Sequence, residues 1–221
     1  SAGAAAAMGV ALLAVGLGVA ALTGGPVLTL CLAYVALQAA YTLALKHRMI
    51  ADVICIALGF VFRAVAGALA ISVPASPWLI ICAFTLCLFM GFCKRRLEVA
   101  ALGNDEAATH YRRTLAGYTP ELLTHLITLS AALAIVSYLM YATSARTIHE
   151  FRTSSLVYAL PLVIYAIARF AMVSMRGAYN GPTELILRDR PFQASAALWG
   201  ALTLFLIYQG HRLDAWLGVA L

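Results

Sequence analysis

Long apolar runs, separated by short polar or Gly- and Pro-containing breaks, make up most of the chain. A helix needs about 20 predominantly apolar residues to cross a bilayer. Runs of this kind occur near residues 4–22, 27–45, 50–72, 77–93, 119–142, 155–175 and 193–209. Gly24, Gly25 and Pro26 break the chain after the first run, and Pro74 breaks it after the third. The pattern predicts an all-α, polytopic transmembrane helical bundle with seven spans and no soluble second domain.

Composition excludes a water-soluble globular protein. Of the 221 residues, 63% are hydrophobic and 11% are charged, whereas soluble domains carry about one quarter charged residues. The formal charge of +6 does not indicate nucleic acid, because basic residues beside apolar spans report orientation against an anionic leaflet. The five cysteines lie in apolar stretches without CxxC or Cys/His spacing, so neither a disulfide framework nor a zinc site is indicated.

Basic residues are concentrated on one predicted side of the membrane. If successive helices alternate in direction, the loops at 46–49, 94–118 and 176–192 share a side, and they hold ten Lys and Arg residues against three on the other. By the positive-inside rule the richer side is cytoplasmic. We therefore predict a multi-pass membrane protein whose basic side faces the cytoplasm. Six of the nine carboxylates lie on or beside that face, a mixture that suits a metal–phosphate ligand.

Two arginines fall inside predicted spans, Arg63 in the third and Arg169 in the sixth. A charge inside a membrane is costly, so such a residue is first considered functional. Arg63 follows Asp52 by about three helical turns, or roughly 16 Å at 1.5 Å per residue, and needs a polar cavity or a buried partner. The alternative is a salt bridge between helices, and Arg169, nearer its helix end, could also reach the interface.

The turn between the second and third spans brings hydrogen-bond donors and a carboxylate to the same end of the two predicted helices. Tyr41 and Lys46 end the second span, and Asp52 opens the third. An anion-binding role is one interpretation. An interfacial tyrosine followed by a positive-inside lysine explains the pair without any function.

A second cluster ends the fourth span. Helical spacing places Lys94 and Glu98 on one face with Arg95 beside them. Such cations can neutralise a diphosphate, for which arginine offers paired donors and lysine a compact charge. A stop-transfer anchor is the alternative. The following segment stays polar through Arg112 and Tyr118, which a bare anchor does not require.

The last connector, residues 181–191, alternates apolar residues with a charged end and predicts a re-entrant or capping segment. Arg188 and Asp189 are its candidate site residues. Asp189 suits a metal or ribose ligand, and an ion pair with Arg188 or Arg190 is equally compatible with the sequence.

Taken in order, Tyr41–Lys46, Asp52 with Arg63, Lys94–Glu98, Tyr118 and the Pro182–Arg190 loop resemble the UbiA superfamily of intramembrane prenyltransferases, and within it the phosphoribosyl branch. The resemblance implies a bundle of nine helices around a cavity open to lipid. The seven spans would be family helices three to nine, so that residues 1–221 form a single transmembrane domain lacking the first two family helices.

The resemblance also implies a Mg²⁺ cofactor. The Asp-rich motif NDxxDxxxD, which carries the main metal ligands in the family, does not occur in this sequence, so the metal ligands are unknown. Aromatic-acceptor members have a second Asp-rich motif where this chain has Lys94–Glu98, and this departure favours the sugar-phosphate branch.

The implied reaction moves 5-phosphoribose from phosphoribosyl diphosphate to a polyprenyl (decaprenyl) phosphate and releases pyrophosphate, for cell-wall arabinan synthesis. The resemblance places this reaction at the cytoplasmic face of the bacterial plasma (inner) membrane. By the same resemblance Lys46, Lys94 and Arg95 would hold phosphates, Arg63 would orient the acceptor, and Glu98 and Asp189 would assist the metal or the ribose. The predicted catalytic residues are Lys46, Arg63, Lys94 and Glu98. The predicted substrate contacts are Tyr41, Asp52, Arg95, Arg112, Tyr118, Arg188 and Asp189.

Three other functions are compatible with the sequence. A UbiA-type enzyme could move a prenyl group onto an aromatic acceptor with the same cations and metal. A transporter or channel would show polar residues reaching both faces or inverted repeats, and neither is seen. A membrane scaffold would need none of these residues for catalysis. The expected partners are the bilayer, the polyprenyl phosphate lipid and phosphoribosyl diphosphate, with a homo-oligomer left open.

Overall fold

The computed structural model of the protein describes residues 1–102, 115–179 and 181–218. These residues form helices, short 3₁₀ turns and connectors, and no strand occurs among them. The chain divides into two compact units, residues 1–75 and 76–221. Each unit has its own packed helices. The predicted all-α class is confirmed.

The first unit contains three long helices. They are α1 (Ala2–Thr23), α2 (Gly25–Leu43) and α3 (Ala51–Ala70), with a 3₁₀ turn at Leu45–His47. Gly24 joins α1 to α2 with φ of 145°, a backbone conformation that glycine adopts readily. Pro26 lies in the first turn of α2, where a missing N–H costs nothing. α2 packs against both α1 and α3.

The described residues of the second unit form six helices. They are α4 (Pro77–Leu102), α5 (Pro120–Thr143), α6 (Ala145–Phe151), α7 (Leu160–Met175), α8 (Pro182–Arg188) and α9 (Arg190–Leu217). Two 3₁₀ turns, Leu115–Gly117 and Ser155–Ala159, precede α5 and α7. Side chains cap several helices. Before α5, the Thr119 hydroxyl accepts a hydrogen bond from the N–H of Leu122 at 3.1 Å. Before α9, the Asp189 carboxylate accepts one from the N–H of Phe192 at 2.9 Å.

Seven helices of the described residues are long and apolar enough to cross a membrane. These spans are Ala2–Thr23, Gly25–Leu43, Ala51–Ala70, Pro77–Ala100, Pro120–Thr143, Ser155–Met175 and Arg190–Trp216. The predicted number of spans is therefore confirmed. Two helices are longer than the apolar pattern indicates. α4 continues past residue 93 to Leu102, and α9 continues past residue 209 to Leu217, so the Lys94–Glu98 cluster lies inside a helix.

In the second unit, α4 packs along α5 and α7, α7 packs on α9, and α8 contacts α4, α7 and α9. Gly210 of α9 lies against Thr153, because a Cβ built at this glycine would be 2.3 Å from the threonine Oγ1. Next to this contact the buried Asp214 carboxylate accepts hydrogen bonds from the hydroxyls of Thr153, Ser154 and Ser155 and from the N–H of Ser154. These contacts fix α9 to the segment that precedes α7.

Candidate functional site

In the first unit, three predicted site residues lie around the tight turn between α2 and α3. Tyr41 is half-buried near the end of α2, Lys46 is exposed in the 3₁₀ turn, and Asp52 is fully buried in the first turn of α3. Ile50 has φ of 66°, an unfavourable backbone conformation for a β-branched residue. Strain of this kind persists where the surrounding structure over-determines it, often at functional sites.

Arg63 is held within the first unit by aromatic side chains of α2 and α3. Its Nη1 donates to the hydroxyl of Tyr34 at 2.9 Å, and Gln38 donates to the same hydroxyl at 2.8 Å. The Arg63 guanidinium also lies 4.4 Å from the centre of the Phe60 ring and 5.4 Å from that of Tyr34. This cation–π and hydrogen-bond arrangement stabilises the charge, and no carboxylate of the described residues forms an ion pair with Arg63.

In the second unit, the α4 cluster has the predicted helical geometry. Arg95 is buried and its Nη1 contacts Oε2 of Glu98. Lys94 Nζ lies 3.9 Å from Oε1 of the same glutamate, and its side chain is 53% exposed. Because a contact at this distance is loose and exposed, Lys94 keeps a solvent-facing positive charge. Arg95 is fixed in place by Glu98.

The remaining predicted contacts differ in their surroundings. Tyr118 is buried between the 3₁₀ turn and α5. Arg188 projects from α8 with a 71% exposed side chain and pairs with Glu184 at 2.8 Å. Arg112 lies outside the described residues, so its predicted role stays a prediction.

Asp189 binds Arg169 rather than a sequence neighbour. The Arg169 Nε and Nη2 donate to the two Asp189 carboxylate oxygens at 3.1 and 2.8 Å, a paired contact that we call the Arg169–Asp189 fork. The pKa of the Asp189 carboxyl is held below its usual value, first by the hydrogen bonds from Arg169 and then by the Phe192 amide, against the opposing effect of burial. Asp189 is therefore ionised throughout the physiological range.

An apolar cavity of about 280 Å³ lies in the second unit among α4, α5, α7, α8 and α9. Its wall consists of Cys82, Leu86, Phe89, Met90, Ala134, Tyr138, Val163, Ala166, Ile167, Phe170, Ile186, Phe192, Ala196 and Trp199. A cavity of about 150 Å³ with apolar walls can hold a benzene molecule. This cavity therefore has room for about two five-carbon isoprene units.

Three charged residues of the second unit, Lys94, Arg169 and Asp189, lie close in sequence to residues that line one end of this cavity. Met90 lines the cavity and Lys94 follows it by one helical turn on α4. Phe170 lines the cavity and directly follows Arg169, and the wall residue Phe192 binds Asp189 through its amide. The arrangement can bind a molecule that has an apolar chain and an anionic head.

The carboxylates of this site do not form a metal centre. Among residues 1–102, 115–179 and 181–218, no three His, Cys, Asp or Glu side chains lie close enough to hold a metal ion. Glu98 contacts Arg95, and Asp189 contacts Arg169. Mg²⁺ prefers several oxygen ligands in octahedral geometry, and these two carboxylates do not fit it together.

Three features of the site are not evident in the sequence. The aromatic partners of Arg63, the pairing of Arg169 with Asp189 and the cavity wall at Tyr138 and Trp199 all depend on contacts between helices. For the pairing of Arg169 with Asp189, the sequence gives one signal: both charged residues occur within or next to apolar runs. A buried charge needs a partner, but the sequence does not identify which one.

The fold and the site define a class: a polytopic, all-α membrane protein with a basic end beside an apolar cavity. The chain is 31% identical to the decaprenyl-phosphate phosphoribosyltransferase of Mycolicibacterium smegmatis over 172 residues, which cover 75% of this chain and 54% of that protein. It is 29% identical to the protein of the same name from Corynebacterium glutamicum, over 91% of this chain and 60% of that protein. No protein-family profile matches the chain.

A third relative of the same name, from Mycobacterium tuberculosis, is 32% identical over 84% of this chain and 62% of its own length. The predicted resemblance is therefore confirmed by relatives that align over most of this chain. The chain spans only 54% to 62% of the length of these three proteins.

Proposed function

We propose that the protein transfers a 5-phosphoribosyl group from phosphoribosyl diphosphate to a polyprenyl phosphate in the membrane. The observation that carries this proposal is the apolar cavity with cations at one end, in a chain related to decaprenyl-phosphate phosphoribosyltransferases. A polyprenyl phosphate has the matching chemistry, an apolar chain attached to an anionic group. Its chain would lie among the cavity's aromatic and aliphatic side chains, with its phosphate at the charged end of the cavity.

In the proposed reaction, an oxygen of the lipid phosphate attacks C1 of the ribose. The bond from C1 to the diphosphate oxygen breaks, and pyrophosphate departs with the bonding electrons. The ribose becomes positively charged in the transition state while negative charge grows on the leaving group. Fixed cations stabilise such charge strongly because they do not have to reorganise during the reaction.

The described residues have distinct proposed roles in the second unit. Lys94 offers an exposed, compact positive charge to a phosphate, and Arg95 presents a guanidinium held still by Glu98. Arg188, mostly exposed on α8, would attract the anionic sugar substrate. In the first unit, Lys46, Asp52 and Arg63 remain proposed contributors on the basis of the resemblance.

We also propose that the protein uses Mg²⁺, which would neutralise diphosphate oxygens when bound. The active face would lie on the cytoplasmic side of a plasma membrane, because basic residues are concentrated on one predicted side. We expect Mg²⁺ to activate phosphoribosyl transfer and a chelator to abolish it, which an assay of labelled lipid product measures.

The central experiment incubates the membrane-embedded protein with labelled phosphoribosyl diphosphate and decaprenyl phosphate. We expect a labelled phosphoribosyl lipid and free pyrophosphate. Replacing Lys94 with Met should raise the KM for phosphoribosyl diphosphate roughly ten- to hundredfold, the loss of one contact of about 1.5–3 kcal/mol to a charged group. The matched control is Arg146→Met, which removes an exposed cation of α6 and should leave KM unchanged.

The outcomes separate this proposal from its nearest rival. If no label reaches the lipid, while a labelled prenyl diphosphate is transferred to an aromatic acceptor, the prenyltransferase alternative replaces the proposal. If Lys94→Met and Arg146→Met have the same KM, the α4 cluster does not bind the substrate.

A further inference from the structure

The Arg169–Asp189 fork connects two segments that are separated in sequence but form adjacent parts of the cavity wall. Arg169 lies in α7, and Asp189 lies between α8 and α9. Asp189 is only 4% exposed, and its two oxygens together accept three hydrogen bonds, two from Arg169 and one from the Phe192 amide at 2.9 Å. The carboxylate is thus engaged on both oxygens.

The residues next to the fork are cavity wall. Phe170 follows Arg169 in sequence, and its ring lies 5.5 Å from that of Phe192, the residue whose amide binds Asp189. On the other side Phe170 lies 5.6 Å from Phe89 of α4. A displacement of either charged partner would therefore move aromatic rings that line the cavity.

The short helix α8 depends on outside contacts for its position. It has seven residues, and isolated helices shorter than about 12 residues are marginal in water. Leu185, at the centre of α8, is fully buried. Towards the C-terminal end, the side-chain amide of Gln193 donates to the carbonyl of Ile186 at 3.0 Å, and Ile186 lines the cavity. The fork immediately follows this anchored end.

We propose that Arg169 and Asp189 are positioning residues that hold α8 and Phe192 across the charged end of the apolar cavity, so that they set the binding of the acceptor lipid's chain. This inference rests on the proposed function, because it assigns the cavity to the acceptor. It gives Asp189 a role through Arg169 and the cavity wall, instead of contact with a metal or with ribose.

The first test separates the two substrates kinetically. Asp189→Asn and Arg169→Gln should each raise the KM for decaprenyl phosphate about tenfold and leave the KM for phosphoribosyl diphosphate unchanged. The double variant should be no worse than the poorer single variant, because either change alone already breaks the fork. Arg169→Lys, which keeps the charge but loses the paired geometry, should lie between wild type and Arg169→Gln.

A ligand role for Asp189 predicts the opposite pattern. Asp189→Asn would then raise the KM for phosphoribosyl diphosphate or the Mg²⁺ concentration needed for half-activation, and Arg169→Gln would not reproduce the change. That result would overturn the inference, as would an unchanged lipid KM in both single variants. If a single variant fails to fold, the double variant with Arg169→Gln and Asp189→Asn leaves no unpaired buried charge and allows the same comparison of the two KM values.

The second test needs no catalysis. In protein whose five native cysteines are replaced, Ile186→Cys should react slowly with a water-soluble maleimide, and adding Asp189→Asn should speed the reaction about tenfold by releasing α8. Leu187→Cys is the matched control, since Leu187 is 68% exposed and should react fast in both backgrounds. Equal Ile186→Cys rates would overturn the inference.

This labelling result distinguishes the two possible failures. Loss of all phosphoribosyl transfer with the expected labelling pattern would reject the proposed function and keep the role of the fork in positioning α8. Normal phosphoribosyl transfer with an unchanged labelling rate would keep the proposed function and reject the role of the fork in positioning α8.

Discussion

At the residue scale, the second unit stabilises two buried aspartates in different ways. Asp189 pairs with a guanidinium, whereas Asp214 accepts hydrogen bonds from three hydroxyls and one backbone N–H. A buried charge is tolerated only when it is paired or fully hydrogen-bonded. The serine and threonine donors of Asp214 are also the residues that α9 packs against, so the network fixes a helix end without a cation.

Arg63 is the residue of the first unit whose role can be tested most sharply. Arg63→Leu removes the only charge that α3 carries beyond its first turn, and we expect it to abolish phosphoribosyl transfer. Tyr34→Phe keeps the ring and removes the hydroxyl that receives the bonds from Arg63 and Gln38. Because small misplacements of a reacting group cost up to about a hundredfold, we expect a partial loss of kcat, roughly tenfold.

Steady-state kinetics on both variants check this expectation, with protein yield and a melting curve as the folding control. Full activity in Arg63→Leu would reduce the arginine to a packing role between α2 and α3. Equal losses in the two variants would mean that the Tyr34 hydroxyl, and not the charge alone, is essential.

At the element scale, the position of α9 depends on a close approach at Gly210. A methyl group there would lie 2.3 Å from Oγ1 and 2.8 Å from Cβ of Thr153. Since Thr153 is fully buried and bonded to Asp214, it cannot move without breaking that bond. We expect Gly210→Ala to lower the free energy of unfolding by about 1–3 kcal/mol, the usual cost of overpacking.

Gly200→Ala is the matched control on the same helix, because nothing lies within 4 Å of the position where its Cβ would be. Alanine there should raise stability by up to about 1 kcal/mol through helix propensity. Both variants can be compared by thermal or denaturant unfolding in one detergent. Equal stability of the two would contradict the close contact between α9 and Thr153.

The elements themselves were largely predictable. Seven apolar runs became seven candidate spans because a bilayer-spanning helix is specified by length and composition alone. The ends of α4 and α9 were predicted too early, since polar residues such as Lys94 and His211 end an apolar run but do not end a helix. The short helices α6 and α8 give no such signal, because tertiary contacts and caps determine them.

The candidate site was predictable in part. Helical spacing alone placed Lys94 near Glu98, and the structure confirms that contact at 3.9 Å. The partners of Arg63 and Arg169 lie 29 and 20 residues away in sequence. Pairing over such distances depends on which helix faces meet, and neither composition nor periodicity contains that information.

At the scale of the whole second unit, the separation of charge predicts membrane orientation. α4 ends and α9 begins at the end of the unit where α8 contacts α4, α7 and α9, and Lys94 and Arg188 lie there. α6, with Arg146, follows the far end of α5. Helices α4 and α5 each span about 24 residues of apolar sequence, so these two groups of cations must face opposite sides of the bilayer.

Cysteine labelling in intact cells tests this arrangement. With native cysteines replaced, Arg146→Cys should react with a membrane-impermeant maleimide from outside, whereas Lys94→Cys and Arg188→Cys should react only after permeabilisation, because basic residues are retained on the cytoplasmic side. Labelling of Lys94→Cys and Arg188→Cys on different sides would break the proposed site, since an anionic substrate could not then meet both cations. Reversed labelling of all three would keep the site and move its chemistry to the outer face, away from cytoplasmic phosphoribosyl diphosphate.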